Sequence, residues 1–386
     1  MARRDYHARM APDDTALFDL PPEVIYLNTC GAGPRLHAVN AAAHTALHAS
    51  ARPWETGEAD WHAAVENLRR NTASLLGTTP DALAFCPSVG HGMSLAALNL
   101  PLAAGQSVVV LAAEHPSNRL AWEHACTRVG AVLQQACCEP GQDWTHAVLQ
   151  HIDAHTAVVS VPHAHWADGA LLDLPRIALA ARAAGAALVI DASQSLGILP
   201  LDFEALAPDF VIAPGHKWLL GAYGLGWLWA APRWREQGQP LEHGIAARQA
   251  EGDFASLVST PAYRDGARRF DFGAHAHPLL VPMSLAAIDQ MQAWGLDAVR
   301  SRVAALVSHL ETGLTQRGLG DGLTPGHAPH FCAWRPPPDR LAAVTAAARE
   351  AGCILASRAG ALRIAPYLHI KEGQIDRLID VLASST

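Results

Sequence analysis

A chain of 386 residues, half of them apolar, can bury a large core and divide into a large unit and a smaller one. Its net charge of -8, with basic runs no longer than pairs such as Arg268-Arg269, excludes nucleic acid as the main partner. Seven cysteines without a C-x-x-C pair signal neither a disulfide framework nor a structural zinc, and no apolar run is long enough to span a membrane.

The first residues, Met1 to His7, begin basic with no apolar segment behind them, so an N-terminal arm over 1–25 and a cytoplasmic location are expected. From about 80 to 230 short β-branched runs alternate with Ala/Leu-rich helical stretches, the pattern of an α/β fold with a largely parallel sheet. The expected strands are Ala82–Cys86, Ser107–Leu111, Ala131–Gln135, Ala157–Val161, Ala187–Ile190, Phe210–Ala213 and Gly226–Trp229, with helices such as Asn118–Val129 and Leu174–Ala184 between them. The last two strands lie too close together for a helical crossover. A loop-rich segment, roughly Arg233 to His277, precedes helical patterns at Met283–Trp294 and Asp297–Arg317. After Pro336-Pro337-Pro338 come a helix near Leu341–Glu350, a strand-like Ala361–Ala365 and an amphipathic helix from Lys371 to about Leu382. This places a large α/β domain over 26–279 and a smaller α+β domain over 280–386.

Ligands of open parallel sheets bind beyond the carboxyl ends of the strands, and four such ends carry unusual residues. Phe85-Cys86-Pro87-Ser88-Val89-Gly90-His91-Gly92 presents a helix start that suits a phosphate, or is an ordinary strand-helix turn. Glu114-His115-Pro116-Ser117-Asn118 offers a histidine that could stack on a planar ring or shuttle a proton, or be one more structural or solvated histidine among 21. Ala187 to Asp191 is a buried-looking strand ending in a carboxylate, which is either a helix N-cap or a partner for a protonated ring nitrogen. Gly215-His216-Lys217 follows the strand Phe210–Ala213. Lys217 is one of only two lysines, beside Lys371, among 28 Lys plus Arg residues. A lone lysine is ordinarily a solvated surface residue, but in a chain that otherwise writes arginine it points equally to an amine that can lose its proton and become nucleophilic. An anion-binding helix start, a ring-stacking histidine, a carboxylate and a Schiff-base lysine are together the parts that a pyridoxal 5'-phosphate (PLP) site requires.

The sequence resembles the class V aminotransferase family of fold-type I PLP enzymes over nearly its whole length. The residues that carry the resemblance are Tyr26-Leu27-Asn28-Thr29-Cys30-Gly31-Ala32-Gly33-Pro34, Asp191-Ala192-Ser193-Gln194 and Gly215-His216-Lys217. It implies a mostly parallel seven-stranded sheet with helices on both faces, a small C-terminal domain, PLP as cofactor and an amino acid as substrate. It further implies Lys217 as the Schiff-base lysine, Asp191 on the pyridine nitrogen, Gln194 on the ring hydroxyl and His115 over the ring. Ser88, Val89 and Gly90, helped by His216, would hold the phosphate, and Arg363 the substrate α-carboxylate, with Asn28 and Trp166 beside the substrate. The run Arg268-Arg269-Phe270-Asp271-Phe272-Gly273, with His277 nearby, matches a family loop that reaches a partner subunit's phosphate, which implies a homodimer with shared sites.

Three departures narrow the branch. Pro214 stands where many members carry a phosphate-binding serine, and Trp166 where desulfurases place an asparagine. Ser357-Arg358-Ala359-Gly360 has no cysteine, and Cys353 before it reads as buried, so a cysteine desulfurase is not expected. The isopenicillin N epimerase-like and ergothioneine C–S lyase-like branch fits better, with an aminotransferase as the alternative. A metal-dependent hydrolase built on His163-x-His165 and His275-x-His277, or a non-catalytic relative, would leave Lys217 unexplained. Trp54 and Trp61 could shape an aromatic pocket or serve the core.

Overall fold

The computed structural model describes residues 14–55, 57–139, 142–249 and 262–385. The large unit opens with β1 (Ile25–Tyr26), α1 (His37–Ser50), α2 (Glu58–Leu76), β2 (Leu83–Cys86), α3 (Val89–Asn99), β3 (Ser107–Leu111), α4 (Pro116–Val129) and β4 (Val132–Ala136). It continues through α5 (Trp144–His151), β5 (Thr156–Pro162), α6 (Leu174–Ala184), β6 (Ala187–Asp191), α7 (Phe203–Leu206), β7 (Phe210–Pro214), β8 (Gly226–Ala230) and α8 (Pro232–Gln237). After α9 (Leu280–Trp294) and α10 (Leu296–Gln316) come β9 (Cys332–Trp334), α11 (Leu341–Glu350), β10 (Cys353–Ile354), β11 (Ala356–Arg358), β12 (Ala361–Ile364) and α12 (Glu372–Ser384).

Seven strands form the central sheet in the order β2-β8-β7-β6-β5-β3-β4. Only β8 runs antiparallel to its neighbours, as the short β7–β8 connection dictates. Alternate residues of each strand feed two cores. Val108, Val110, Val189 and Ile212 face α3 and α4 through Met93 and Trp122. Val109, Leu111, Ile190 and Val211 face α2, α5, α6 and α9 through Leu68, Val148, Ile177 and Met291. With both faces covered, these strands read as continuous apolar runs rather than as alternating ones.

Boundaries differ from the sequence reading where capping decides them. α4 starts at Pro116 because His115 Nδ1 accepts from the Ser117 amide at 3.2 Å and proline suits the first helical position. α9 takes in Pro282 in its first turn, where the missing N–H costs nothing.

A further core joins Ile25 and Leu27 to Leu306 and Leu310 of α10, Leu362 and Ile364 of β12, and Leu378 and Leu382 of α12. There β1 pairs in parallel with β10, and Asn28 bridges Ala365. Of the expected N-terminal arm, residues 1–13 lie outside the described residues. By Ile25 the chain is already stitched to the C-terminal elements, so the loop Thr29–Pro34 crosses to the edge of the central sheet. α9, inside the span expected for the smaller domain, packs on α1 and α2.

The segment 266–271 is anchored by charge. Arg69 of α2, fully buried, donates to both carboxylate oxygens of Asp271 at 3.2 and 2.7 Å and to the Leu83 carbonyl at 2.6 Å. Asp271 also accepts the Phe85 amide at 2.9 Å, and Arg268 pairs with Glu66 and Asp81.

Candidate active site

The carboxyl ends of β2, β3, β5, β6 and β7, with the start of β8, converge on a cleft of about 370 Å³. Lys217 enters it through a tightly pressed turn. The Gly215 amide donates to the Leu225 carbonyl at 3.1 Å, and a Cβ on Gly215 would lie 2.3 Å from that oxygen. From the other side the Gly33 amide donates to the His216 carbonyl at 2.7 Å, and a Cβ there would lie 2.3 Å from the Lys217 carbonyl. Glycine is therefore required at both places, and the two glycine-bearing motifs meet around Lys217. Lys217 is half-buried, and its amine makes no hydrogen bond or ion pair among the described residues. Burial lowers its pKa below the ordinary lysine value, while Asp191 and Cys30 pull the other way.

Asp191, buried at the end of β6, accepts the Ser193 amide at 2.9 Å; turns rather than a helix follow, so it is no helix cap. Gln194 is fixed at both ends of its amide. Trp218 Nε1, which can only donate, bonds its Oε1 at 2.9 Å, so the NH2 group faces the Cys30 carbonyl at 3.1 Å and keeps one N–H to spare. The His115 ring meets Trp166 edge-on at 5.3 Å, and burial first, then Lys217 and the arginines, holds its pKa down against the pull of Asp191. Burial also pushes His216 down to about 4. At the start of α3, Ser88 Oγ accepts the His91 amide at 3.2 Å, and the amides of Val89 and Gly90 belong to the helical turn that has no intrahelical acceptors.

Arg363 of β12 is 3% exposed and donates to the Trp166 carbonyl at 2.7 Å and to Asn28 Oδ1 at 3.1 Å. Its Nε has no partner, and no carboxylate among the described residues answers its charge. A buried guanidinium without an anion is costly unless a ligand supplies one.

Sequence reasoning placed Ser88, Val89, His115, Trp166, Asp191, Gln194, His216, Lys217 and Arg363 along this one cleft, and the structure brings them together. Asn28 and Trp166 act on Arg363 through a side-chain and a backbone oxygen, while the Trp166 indole donates to the Ala113 carbonyl at 2.8 Å. His277 does not line the cleft of its own chain; its Nδ1 accepts the amides of Leu279 and Leu280 at the start of α9. Arg268 is spent on Glu66 and Asp81, and Arg269 on the Glu236 and Gly238 carbonyls. Trp54 is 78% exposed and does not line the cleft, and the Trp61 side chain lies outside the described residues. His165 is engaged by Asp168 and the Ala113 carbonyl, and among the described residues no three metal-binding side chains gather.

Among the cleft residues that escaped the sequence reading as site residues are Cys30, Glu114, Tyr223 and Arg358. Glu114 had a legible signal, an acid at a strand end like Asp191. Its Oε1 accepts the His115 amide at 2.7 Å, Oε2 is unpartnered, and burial, then the charge of Asp191, pushes it up to about 8. Burial pushes the Cys30 thiol up to about 12. Cysteine reactivity follows the thiolate, so native alkylation should reach exposed Cys137 and then Cys138, and spare Cys30, Cys86, Cys126, Cys332 and Cys353. Intact-mass spectrometry should count at most two adducts before denaturation and seven after it; rapid native labelling of Cys30 would contradict its burial.

Residues 25–325 match the family model described as Aminotransferase class-V. Isopenicillin N epimerase of Streptomyces clavuligerus is 28% identical over 95% of this chain and 96% of its own length. The uncharacterized aminotransferase YcbU of Bacillus subtilis is 27% identical over 85% and 86%. Cysteine desulfurases also appear among the relatives. Among solved structures, a mutant of C-DES with glycine covalently linked to the PLP cofactor superposes with a TM-score of 0.86 at 20% identity, over 96% of this chain and 99% of that one.

Proposed function

We propose, for a chain that belongs to the aminotransferase class-V family, a reaction at Cα of an amino acid in which a β substituent on sulfur is lost, the C–S lyase course. Epimerisation at Cα is the second course, favoured by the near full-length similarity to an isopenicillin N epimerase. The carrying observation is one cleft that holds an uncommitted lysine amine and a buried guanidinium with no carboxylate of its own.

PLP is the cofactor. The residues fit it: Lys217 would hold its aldehyde, Asp191 its ring nitrogen, the spare N–H of Gln194 its ring oxygen, and His115 its face. Its phosphate would lie at the start of α3. Pro214 offers no hydroxyl there, but Ser88 Oγ is engaged only as an acceptor, so its proton can still be donated. When bound, PLP supplies an electron sink for the charge left when a proton departs from Cα.

The chain's own contribution is positional and protolytic. Arg363 would grip the α-carboxylate with the N–H groups left over from Trp166 and Asn28, fixing Cα before Lys217. Lys217 Nζ, its proton loosened by burial, would take the Cα proton and, as an ammonium, return it to the departing β sulfur, which would leave as a thiol. The reading excludes a desulfurase. That activity needs a reactive thiol at the mouth, whereas the β11–β12 hairpin carries none, Cys353 is buried, and the cleft thiol of Cys30 keeps its proton. A homodimer is part of the reading: Tyr223, its ring tilted by 41° against His216 with centroids 4.4 Å apart and 75% exposed, leaves that rim of the cleft open to a second copy.

A panel of amino acids and cysteine conjugates tests the reaction. The expected products are pyruvate, ammonia and a thiol without any keto acid added. Inverted, Cα-deuterated amino acid in heavy water would mean epimerisation. Turnover only with a keto acid acceptor would mean amino transfer, and persulfide on the protein would restore the desulfurase.

A further inference from the structure

We propose that Arg358 forms a second anion subsite of the cleft, so that the preferred substrates are amino acids carrying a carboxylate at the far end of the side chain. The proposal rests on the PLP reading and refines its substrate.

The geometry comes from one hairpin. Arg358 lies opposite Ala361 across the antiparallel pair β11–β12, and Arg363 lies opposite Ala356. Directly opposed residues project to the same face of a sheet, as do Ala361 and Arg363, two apart on one strand. Both arginines therefore leave the same face of the hairpin, and both line the cleft.

Their surroundings differ in a way that assigns different tasks. Arg363 is buried and already steadied by Trp166 and Asn28. Arg358 is exposed at the rim, donates only to the neighbouring Ser357 carbonyl at 2.8 Å and meets no carboxylate among the described residues. The backbone beneath it is held. Ala359 and Gly360 turn with φ of 48° and 78°, and Arg335 donates to the Ala359 carbonyl at 2.7 Å. The carboxyl groups of the cleft, Glu114 after β3 and Asp191 at the end of β6, make no ion pair with Arg358. An extended side chain with a terminal anion thus finds its complement at Arg358 and no acid beside it.

The test titrates the PLP-loaded enzyme with S-ethyl-L-cysteine and S-carboxymethyl-L-cysteine, which match in length and differ in a terminal methyl against a carboxylate. Binding is read from the cofactor absorbance. The carboxymethyl compound should bind about tenfold more tightly, a charge-assisted contact near the lower end of its usual worth because Arg358 is solvated. Arg358→Leu should bring the ratio of affinities to within about twofold of one, Arg358→Lys should keep part of it, and added salt should shrink it in the unaltered enzyme. Equal affinities in the unaltered enzyme, or a ratio that survives Arg358→Leu, would overturn the subsite and leave the PLP reading standing. No absorbance response to any amino acid, together with no borohydride adduct on Lys217, would bring down that reading and the subsite with it.

Discussion

Lys217→Ala should lower turnover by about a thousandfold or more, within the range known for the loss of a positioned general base. The loss has two causes that separate experimentally. Without the amine, PLP has no lysine to attach to, so borohydride should fix the cofactor to the Lys217 peptide in the unaltered enzyme and to nothing in the variant. Lys371, the other lysine, is exposed at the start of α12 and serves as an internal control for non-specific reduction. Lys217→Arg should fail as well, because a guanidinium keeps its proton where the mechanism needs a neutral amine. A variant within about tenfold of the parent, or an adduct on Lys371 alone, would remove Lys217 from the chemistry.

The largest effect on stability should come from Asp271→Ala. It leaves the fully buried Arg69 guanidinium without its bidentate carboxylate, with only Glu66 on Nε at 3.0 Å to answer the charge, and breaking a buried pair from one side costs up to about 3–5 kcal/mol. It also strips the Phe85 amide of its acceptor, on the strand that delivers Ser88 to the cleft. Denaturant midpoints should be compared at a fixed cofactor concentration, since a ligand bound only to the folded state adds its own stability. The double variant Arg69→Met with Asp271→Leu should recover much of the loss, because an apolar pair leaves no unpaired charge behind. A cost below about 1 kcal/mol for the single variant would mean that water or another group answers Arg69.

How much of this was legible depends on the kind of signal. The inner strands of the large sheet were readable because both faces are covered, which writes them as apolar runs between turns, as in Ala187–Asp191, while the edge strand β4, VLQQA, was placed by the alternation around it. The antiparallel β8 was foreshadowed by the short spacing after β7. The small sheet of β9, β11 and β12 was mostly not legible, its strands being only 3 or 4 residues long, too short for a period to register. Lys217, Asp191, Gln194 and His115 could be chosen because each follows or ends a strand, where the fold puts ligands. Arg358 gave no such sign: its place on the cleft depends on hairpin register, which a glycine and an alanine in the left-handed region decide. The role of Trp166 through its carbonyl, and the service of His277 as a cap, are likewise matters of backbone geometry that residue type does not encode.

The sheet order has a consequence for how a newly made chain acquires its site. β2 is an edge strand whose sole neighbour is β8, in the register Cys86 with Gly226, and its inner tie, Arg69 to Asp271, closes over a separation of 202 residues. Such distant closures are slow, because chain entropy must be lost before the contacts repay it. A nascent polypeptide that has emerged only as far as β7 and Lys217 already has Asp191, His115 and Lys217 at the ends of the parallel strands β6, β3 and β7, joined through β5, while the turn at Ser88 still has no strand to lie against. The end of the cleft proposed for the phosphate is therefore a late product of synthesis, and on that reading firm retention of a phosphate ester would mark a chain that has passed Asp271 and closed its sheet.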